Sequence, residues 1–210
     1  MAAPLVAIAD YGSGNRRSVQ TALAHVGARA VVTRDPEELE GADGIVIPGV
    51  GAFPAAMEAL ARHGLVEPLI AFAQGGKPLL GACLGMQLLF DRSEEQGGAE
   101  GLGLLRGSVR RLDCGALKLP HIGWGEVSWA RESPLTDGLP DPAFFYHVHT
   151  YAPVADDDGE VLGWSDYGGR FVSVAGRDNV FGVQFHPEKS SRNGLAMLAN
   201  FAALCGEGAR

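Results

Sequence analysis

The sequence predicts an α/β fold: a single domain with a mainly parallel sheet flanked by helices and a β-rich C-terminal half. Up to about residue 101, short apolar runs alternate with amphipathic segments. Beyond that point strand-like segments follow one another, and an amphipathic segment closes the sequence. Alternating strands and helices imply parallel strands joined by right-handed crossovers. With no linker or repeat in 210 residues, we expect one domain over residues 1–210.

The first elements follow from an apolar run and the glycine-rich turn after it. PLVAIA (residues 4–9) predicts a buried strand, and DYGSGN (10–15) supplies the turn. Residues 15–26 carry apolar side chains at helical spacing, and Gly27 stands where a left-handed C-terminal cap is expected. ARAVVT (28–33) then predicts the second strand.

Strands and helices continue to alternate toward the middle of the sequence. Asp35 and Pro36 predict the cap and first turn of a short helix, and GIVIP (44–48) predicts the third strand. Two helices are expected around residues 55–62 and 66–74. These helices connect strands in the way that a parallel sheet requires.

A strand, a cysteine and a helix follow in that order. KPLLGA (77–82) is the strand, and CLGMQLLF (83–90) carries its apolar residues at helical spacing after Cys83. The acidic segment at 92–101 is interpreted as a solvated loop. The sequence thus places one thiol at the junction of a strand and a helix.

The second half is rich in β-branched and aromatic residues. The strand-like pieces are SVRRL, WGEVSW, FFYHVHTY, EVLGWS, RFVSVAG and VFGVQFH. Residues 170–185 predict a hairpin that turns at residues 177–179. Residues 191–204 predict the closing helix.

Composition narrows the possible partners and settings. The formal net charge of −8 makes nucleic acid an unfavourable partner, and no apolar run reaches the length that a membrane span needs. The three cysteines contain no C-x-x-C pair, so we expect reduced thiols rather than disulfides or a zinc site. No secretory leader is recognisable at the N-terminus. We therefore expect a cytoplasmic protein without a membrane partner, a metal or a cofactor.

Cys83 has the sequence context of a nucleophile. Gly81 and Gly85 lie two residues away on either side, which is typical of the tight turn that holds a nucleophile between a strand and a helix. A helix N-terminus favours a thiolate, and the N–H of Leu84 would point at the oxygen of a tetrahedral intermediate. Because free cysteine is often buried, a purely structural thiol remains the alternative.

Two further motifs could complete such a site. His186 and Glu188, in QFHPEKSS (184–191), follow a strand and can project to the same side. A cysteine hydrolase needs a base and a group that orients it, which these residues could supply. PGVGAF (48–53) follows another strand, and its glycines would let an N–H approach a ligand closely. A structural histidine and a simple tight loop are the alternatives.

Other histidines suggest less. His147 and His149 lie on one face of a strand and could bind a metal, but no third or fourth ligand is close in sequence. His25, His63 and His121 show no partner pattern of their own.

Taken together, PGVGAF, GACLGMQLLF and QFHPEKSS resemble the class I (triad) glutamine amidotransferases, and the resemblance runs from end to end. It implies Cys83 as nucleophile, His186 as general base and acid, and Glu188 as the residue that orients the histidine. It implies an oxyanion hole from Gly49, Val50, Gly51 and Leu84. For holding substrate glutamine it implies Gln87, Thr150 and Tyr151.

More narrowly, DYGSGN, PHIGWGEV, FYHVHTY and HPEKSS are similar to the glutaminase subunits of imidazole glycerol phosphate synthases. This similarity implies that ammonia passes to a separate (β/α)8-barrel cyclase subunit in histidine biosynthesis. That subunit would combine it with PRFAR to give imidazole glycerol phosphate and AICAR. The residues implied to lie toward the partner are Asn15, Trp124, Tyr146 and Lys189. Core packing is the alternative for Trp124 and Tyr146, and a solvated charge for Lys189.

The chain departs from this family at two positions. Gly125 replaces a usual asparagine, and His147 replaces a usual phenylalanine. Two rival functions also remain: a stand-alone cysteine hydrolase of γ-glutamyl compounds, and a non-enzymatic α/β binding module in which Cys83 is packing. The first would work without a partner, and the second would tolerate loss of the thiol.

Overall fold

The computed structural model describes residues 2–207. The first half contains β1 (Leu5–Ala9), α1 (Arg16–His25), β2 (Arg29–Thr33), α2 (Pro36–Glu40), β3 (Gly44–Gly49), α3 (Phe53–Arg62), α4 (Val66–Gln74), β4 (Leu79–Cys83) and α5 (Leu84–Leu88). The second half contains β5 (Arg92–Ser93), β6 (Ala99–Glu100), β7 (Gly107–Arg111), β8 (His121–Trp129), β9 (Ala143–His149), β10 (Tyr151–Ala155), β11 (Val161–Asp166), β12 (Arg170–Arg177), β13 (Val180–Val183) and α6 (Ser191–Glu207).

One large mixed sheet organises the molecule. Its nine strands run in the order β2-β1-β3-β4-β13-β12-β11-β8-β9. Pairing is parallel from β2 to β13 and antiparallel from β13 to β9. A second sheet, β10-β7-β5-β6, was not predicted. The α/β class is confirmed, and the antiparallel half arises because consecutive strands joined without helices pair with opposite directions.

Local sequence signals explain most element boundaries. The Asp35 side chain accepts a hydrogen bond from the Glu37 N–H at the start of α2, and Gly27 adopts a φ of 92° after α1. The predicted hairpin forms from β12 and β13. The helix after Cys83 is shorter than predicted and ends at Leu88. The N–H groups of Leu89 and Phe90 then donate to carbonyl oxygens three residues earlier.

Apolar residues form a core on each face of the large sheet. On one face Leu39, Phe53 and Leu69 of helices α2, α3 and α4 are buried. On the other, Leu23 of α1 and Phe201 of α6 are buried. Burial of each such side chain contributes about 1.5–3 kcal/mol. No helix within the described residues combines the length and apolar character that a membrane crossing requires.

The carboxyl ends of the central parallel strands meet at one edge of the sheet. The register of β3 and β4 pairs Gly49 with Cys83. Val183 pairs with Ala82, so the segment that leads to His186 leaves the sheet beside Cys83. In open α/β sheets this edge is where ligands bind.

Candidate active site

Cys83 occupies a strained turn between β4 and α5. Its φ of 55° and ψ of −113° are unusual for a residue with a side chain, and such strain costs on the order of 1–3 kcal/mol. The flanking glycines are required sterically. A Cβ on Gly85 would lie 1.8 Å from the Ile47 carbonyl oxygen, and one on Gly81 would lie 2.4 Å from the Gly85 carbonyl oxygen. The close packing thus leaves no room for a side chain at either flanking position.

The Cys83 side chain opens into a cleft of about 290 Å³, which His186 also lines. The residues predicted to hold glutamine line the same cleft, namely Gln87, Thr150 and Tyr151. So do three of the predicted oxyanion residues, Val50, Gly51 and Leu84. Although Cys83 is only 6% exposed, its sulfur is therefore not sealed among aliphatic side chains.

His186 and Glu188 form a buried pair beside the thiol. His186 Nδ1 lies 2.9 Å from Glu188 Oε1, and the Glu188 side chain is inaccessible to solvent. Burial lowers the pKa of His186, but hydrogen bonds and charge interactions with Cys83 and Glu188 outweigh it and raise that pKa to about 9. Burial likewise opposes ionisation of Glu188, yet its contacts with His186 and Asn15 lower its pKa. The site thus favours a charged imidazolium beside a carboxylate.

Asn15 belongs to this arrangement, a contact that the sequence did not reveal. Its Nδ2 donates to Glu188 Oε1 at 2.6 Å and lies 3.3 Å from His186 Nδ1. Asn15 itself has a left-handed φ of 76°. Its side chain therefore orients the carboxylate, while a role toward a partner stays a prediction.

The segment after β3 is held by two residues of the DYGSGN turn. The Val50 N–H donates to Ser13 Oγ at 3.0 Å, and Tyr11 Oη donates to the Pro48 carbonyl oxygen at 2.6 Å. A Cβ on Gly49 would lie 2.7 Å from Tyr11 Oη, so glycine is required there. In this conformation the Val50 amide bonds to Ser13 and does not donate into the cleft.

Glu95 is a further cleft residue that sequence reasoning missed. The segment at 92–101 was interpreted as a solvated loop, and this was wrong for Glu95, which lines the cleft. Its Oε2 accepts a hydrogen bond from the Phe53 N–H at 2.8 Å, which fixes the carboxylate in place. A long-range backbone contact of this kind leaves no local sequence signal.

The residues predicted to face a partner lie at and near the cleft. Trp124 is 54% exposed, so the core-packing alternative was wrong for it, and its ring meets Tyr146 at a centroid distance of 6.1 Å. Ile122 and Phe144 are also exposed, and with Trp124 they form an apolar patch on strands β8 and β9. Lys189 is exposed and lines the cleft.

Three histidines, His121, His147 and His149, cluster at the cleft, and His149 lines it. His121 Nδ1 lies 3.1 Å from His149 Nε2, so His121 has a partner after all, and His147 Nε2 lies 2.9 Å from Ser173 Oγ. Burial lowers the pKa of His149 to about 3 and that of His147 well below its usual value. Among residues 2–207 no group of three or more potential ligands could hold a metal ion.

The two departures from the family pattern touch each other. A Cβ on Gly125 would lie 3.0 Å from His147 Nδ1. The missing side chain at Gly125 therefore leaves room for the imidazole of His147.

Comparisons with known proteins identify the family of this chain. The model of the family described as glutamine amidotransferase class-I matches residues 7–205. The imidazole glycerol phosphate synthase subunit HisH of Bacillus cereus is 52% identical over 200 residues, which cover 95% of each chain. The HisH subunit of Desulfitobacterium hafniense is 50% identical over 206 residues, covering 98% of this chain and 97% of the relative.

The fold is also found in solved structures. The structure of PurLQS from Thermotoga maritima superposes with a TM-score of 0.75 at 19% identity and covers 99% of both chains. At that identity the likeness concerns the fold alone. The family model and the two relatives go further: the chain belongs to the class I glutamine amidotransferase family and, within it, to the HisH subunits of imidazole glycerol phosphate synthase.

Proposed function

We propose that this chain is the glutaminase subunit of an imidazole glycerol phosphate synthase and that it supplies ammonia for histidine biosynthesis. The observation that carries the proposal is the meeting of Cys83 with the His186–Glu188 pair at one cleft, in a chain about half identical to HisH subunits. We propose further that residues 1–210 form one glutamine amidotransferase domain.

The chemistry would proceed through a thioester. The Cys83 thiolate attacks the side-chain carboxamide carbon of glutamine, and His186 protonates the departing nitrogen so that ammonia leaves. Because Nδ1 of His186 is engaged by Glu188, Nε2 would be the nitrogen that exchanges the proton. Water, deprotonated by the same imidazole, then hydrolyses the γ-glutamyl thioester, which releases glutamate and restores the thiol.

The substrate would be held by groups around the cleft. The negative charge of Glu95 suits the α-ammonium group of glutamine, and Gln87, Thr150 and Tyr151 supply polar contacts. The Gln87 amide nitrogen is already engaged by the Tyr151 carbonyl oxygen at 2.9 Å. Its Oε1 therefore remains as a hydrogen-bond acceptor for the substrate.

Full activity would require a change near Val50. An oxyanion hole needs N–H groups directed at the developing charge, and Leu84 could supply one of them. Since the Val50 N–H bonds to Ser13, that peptide would have to turn before it could supply the second. We propose that docking of a partner favours the turned conformation, which would couple ammonia release to the presence of an acceptor.

The partner would be a (β/α)8-barrel cyclase subunit that combines ammonia with PRFAR to form imidazole glycerol phosphate and AICAR. The apolar patch of Ile122, Trp124 and Phe144 adjoins the cleft through strand β9 and offers a surface for docking. Tyr146 packs against Trp124, Asn15 contacts Glu188, and Lys189 lines the cleft.

A mixing experiment tests this proposal. Glutamate release by the purified chain is measured alone, with the cyclase subunit, and with the cyclase subunit plus PRFAR. We expect slow hydrolysis alone and a rise by orders of magnitude in the complete mixture, with no activity in Cys83→Ser. Equal rates in all three mixtures would favour a stand-alone hydrolase, and unchanged binding function in Cys83→Ser would favour the non-enzymatic module.

A further inference from the structure

Gln184 is a buried polar residue next to the nucleophile. It follows β13, whose parallel register with β4 brings it beside Cys83. The side chain is completely buried, and its Nε2 lies 3.9 Å from Cys83 Sγ, within hydrogen-bond range of a sulfur atom. The backbone is fixed as well, because the Gln184 N–H donates to the Ser173 carbonyl oxygen at 2.8 Å.

A chain of hydrogen bonds determines which end of the Gln184 amide meets the sulfur. The Tyr151 carbonyl oxygen can only accept, so the Gln87 group 2.9 Å from it must be the NH2. The same Gln87 Nε2 donates to Gln184 Oε1 at 3.0 Å. Gln184 therefore has its oxygen occupied and directs its own NH2 at Cys83.

This donor matters most when the thiol loses its proton. In the neutral state Cys83 Sγ donates to the Val148 carbonyl oxygen at 3.7 Å, a contact that a thiolate cannot make. An anionic sulfur is repelled by the lone pairs of that carbonyl oxygen, so it must be stabilised by hydrogen-bond donors instead. His186 supplies one donor, and the side-chain amide of Gln184 supplies a second. The Gln184 donor is present whether or not the imidazole is protonated.

We infer that Gln184 is a catalytic residue that donates a hydrogen bond to the Cys83 thiolate, and that Gln87 and the Tyr151 carbonyl group orient it. The inference rests on the proposed role of Cys83 as nucleophile. Gln87 would accordingly have two tasks: it holds Gln184 through its nitrogen and contacts glutamine through its oxygen. The thiolate would gain a fixed donor that does not take part in proton transfer.

The pH profile of Cys83 alkylation by iodoacetamide tests the inference without requiring substrate binding. Gln184→Met keeps the side-chain volume but removes the donor. At pH values below the half-maximal point of the wild-type profile, we expect alkylation to slow about tenfold, in line with loss of one hydrogen bond to a charged group. The half-maximal point of the profile should move up by about one pH unit, while the rate reached at high pH stays that of the wild type.

Two further variants keep the test sharp. Gln184→Glu retains shape and the bond from Gln87 but places a carboxylate near the sulfur, so its profile should move further in the same direction. Ser165→Ala removes a buried hydroxyl that donates to the Glu126 carbonyl oxygen and should leave the profile where it is. If Gln184→Met fails to fold, the comparison of Gln184→Glu with Ser165→Ala decides alone.

Coupling to Gln87 supplies a second readout. Gln87→Met should slow alkylation in the wild-type background and have little further effect when combined with Gln184→Met, because both act through one donor. Wild-type profiles in the Gln184 variants, or a lowered plateau without a moved midpoint, would overturn the inference. If the wild-type thiol is not alkylated at all, the proposed function fails instead.

Discussion

The parallel and antiparallel halves of the large sheet differ in what they expose. Strands β3 and β4 are buried along their whole length, and the reactive groups appear only at or just beyond their carboxyl ends. Strands β8 and β9 alternate between buried and accessible positions, which leaves the Trp124 patch on one face. The parallel half thus holds reactive groups in fixed positions, and the antiparallel half offers an accessible surface to which a partner could bind.

The two halves are also joined at the histidine. The His186 N–H donates to the Tyr146 carbonyl oxygen of β9 at 3.0 Å, and Ser190 Oγ links the two backbones by donating to His186 and accepting from Tyr146. A strand that carries the exposed patch therefore also positions the base. Changes in the parallel half should therefore damage the fold or the chemistry, whereas changes on the antiparallel surface should alter association.

The largest expected effect is steric and lies in the parallel half. Gly85→Ala would place a methyl group 1.8 Å from the Ile47 carbonyl oxygen, a backbone atom that cannot move without displacing β3. We expect the free energy of unfolding in urea to fall by about 3 kcal/mol or more. Gly125→Ala in β8 is the matched control, since its nearest neighbour is the His147 side chain at 3.0 Å. Equal losses in the two variants would contradict the comparison.

Binding is the next expected effect, and it should spare stability. Trp124→Ala removes an exposed ring, so we expect the Kd for the cyclase subunit to rise about 30-fold, as for a central interface aromatic. Titration calorimetry measures this change, and unfolding in urea should be unaltered. Val154→Ala, an exposed apolar residue of the small sheet outside the patch, serves as the control. A matching loss of affinity in Val154→Ala would remove the patch as the docking surface.

Stability should also depend on pH through the triad. The pKa of His186 is raised to about 9 in the folded protein, so protonation of this imidazole stabilises the fold. The stabilisation is complete at pH values below the pKa of the histidine in the unfolded chain, and it is lost as the pH rises through 9. We expect the free energy of unfolding to drop by about 1–3 kcal/mol between pH 6.5 and 9.5. The drop should be much smaller in His186→Gln, where the Cys205 thiol, whose pKa is raised to about 12 chiefly by burial, still contributes at the alkaline end. A parallel pH dependence in both proteins would place the responsible group elsewhere.

The smallest expected effect concerns the Val50 amide. Ser13→Ala removes the oxygen that accepts from this N–H, so the peptide should turn toward the cleft more readily. We expect glutamate release without partner to rise about threefold, which corresponds to less than 1 kcal/mol of bias. Steady-state assays of the isolated chain measure it, with Ser108→Ala as a control in the small sheet. A lowered basal rate would show that Ser13 supports the active conformation.

Short motifs encode much of this molecule, but contacts between distant segments escaped sequence reasoning. The strand before Cys83, its flanking glycines and the His186–Glu188 pair were predictable because each depends on neighbours within a few residues. Asn15 reaches Glu188 across 173 positions, and Gln184 meets Gln87 across 97. No periodicity or motif announces such pairs. The small sheet escaped prediction because β5 and β6 are only two residues long.

We propose that Cys83 is an accessible nucleophile paired with His186 in a glutamine site. The most direct test is mass spectrometry of the chain after reaction with a glutamine-derived electrophile, with and without excess glutamine. We expect one label per chain, carried by Cys83, suppressed by glutamine and strongly reduced in His186→Gln. Labelling of Cys114 or Cys205 instead, or labelling of Cys83 that glutamine does not slow, would contradict the account.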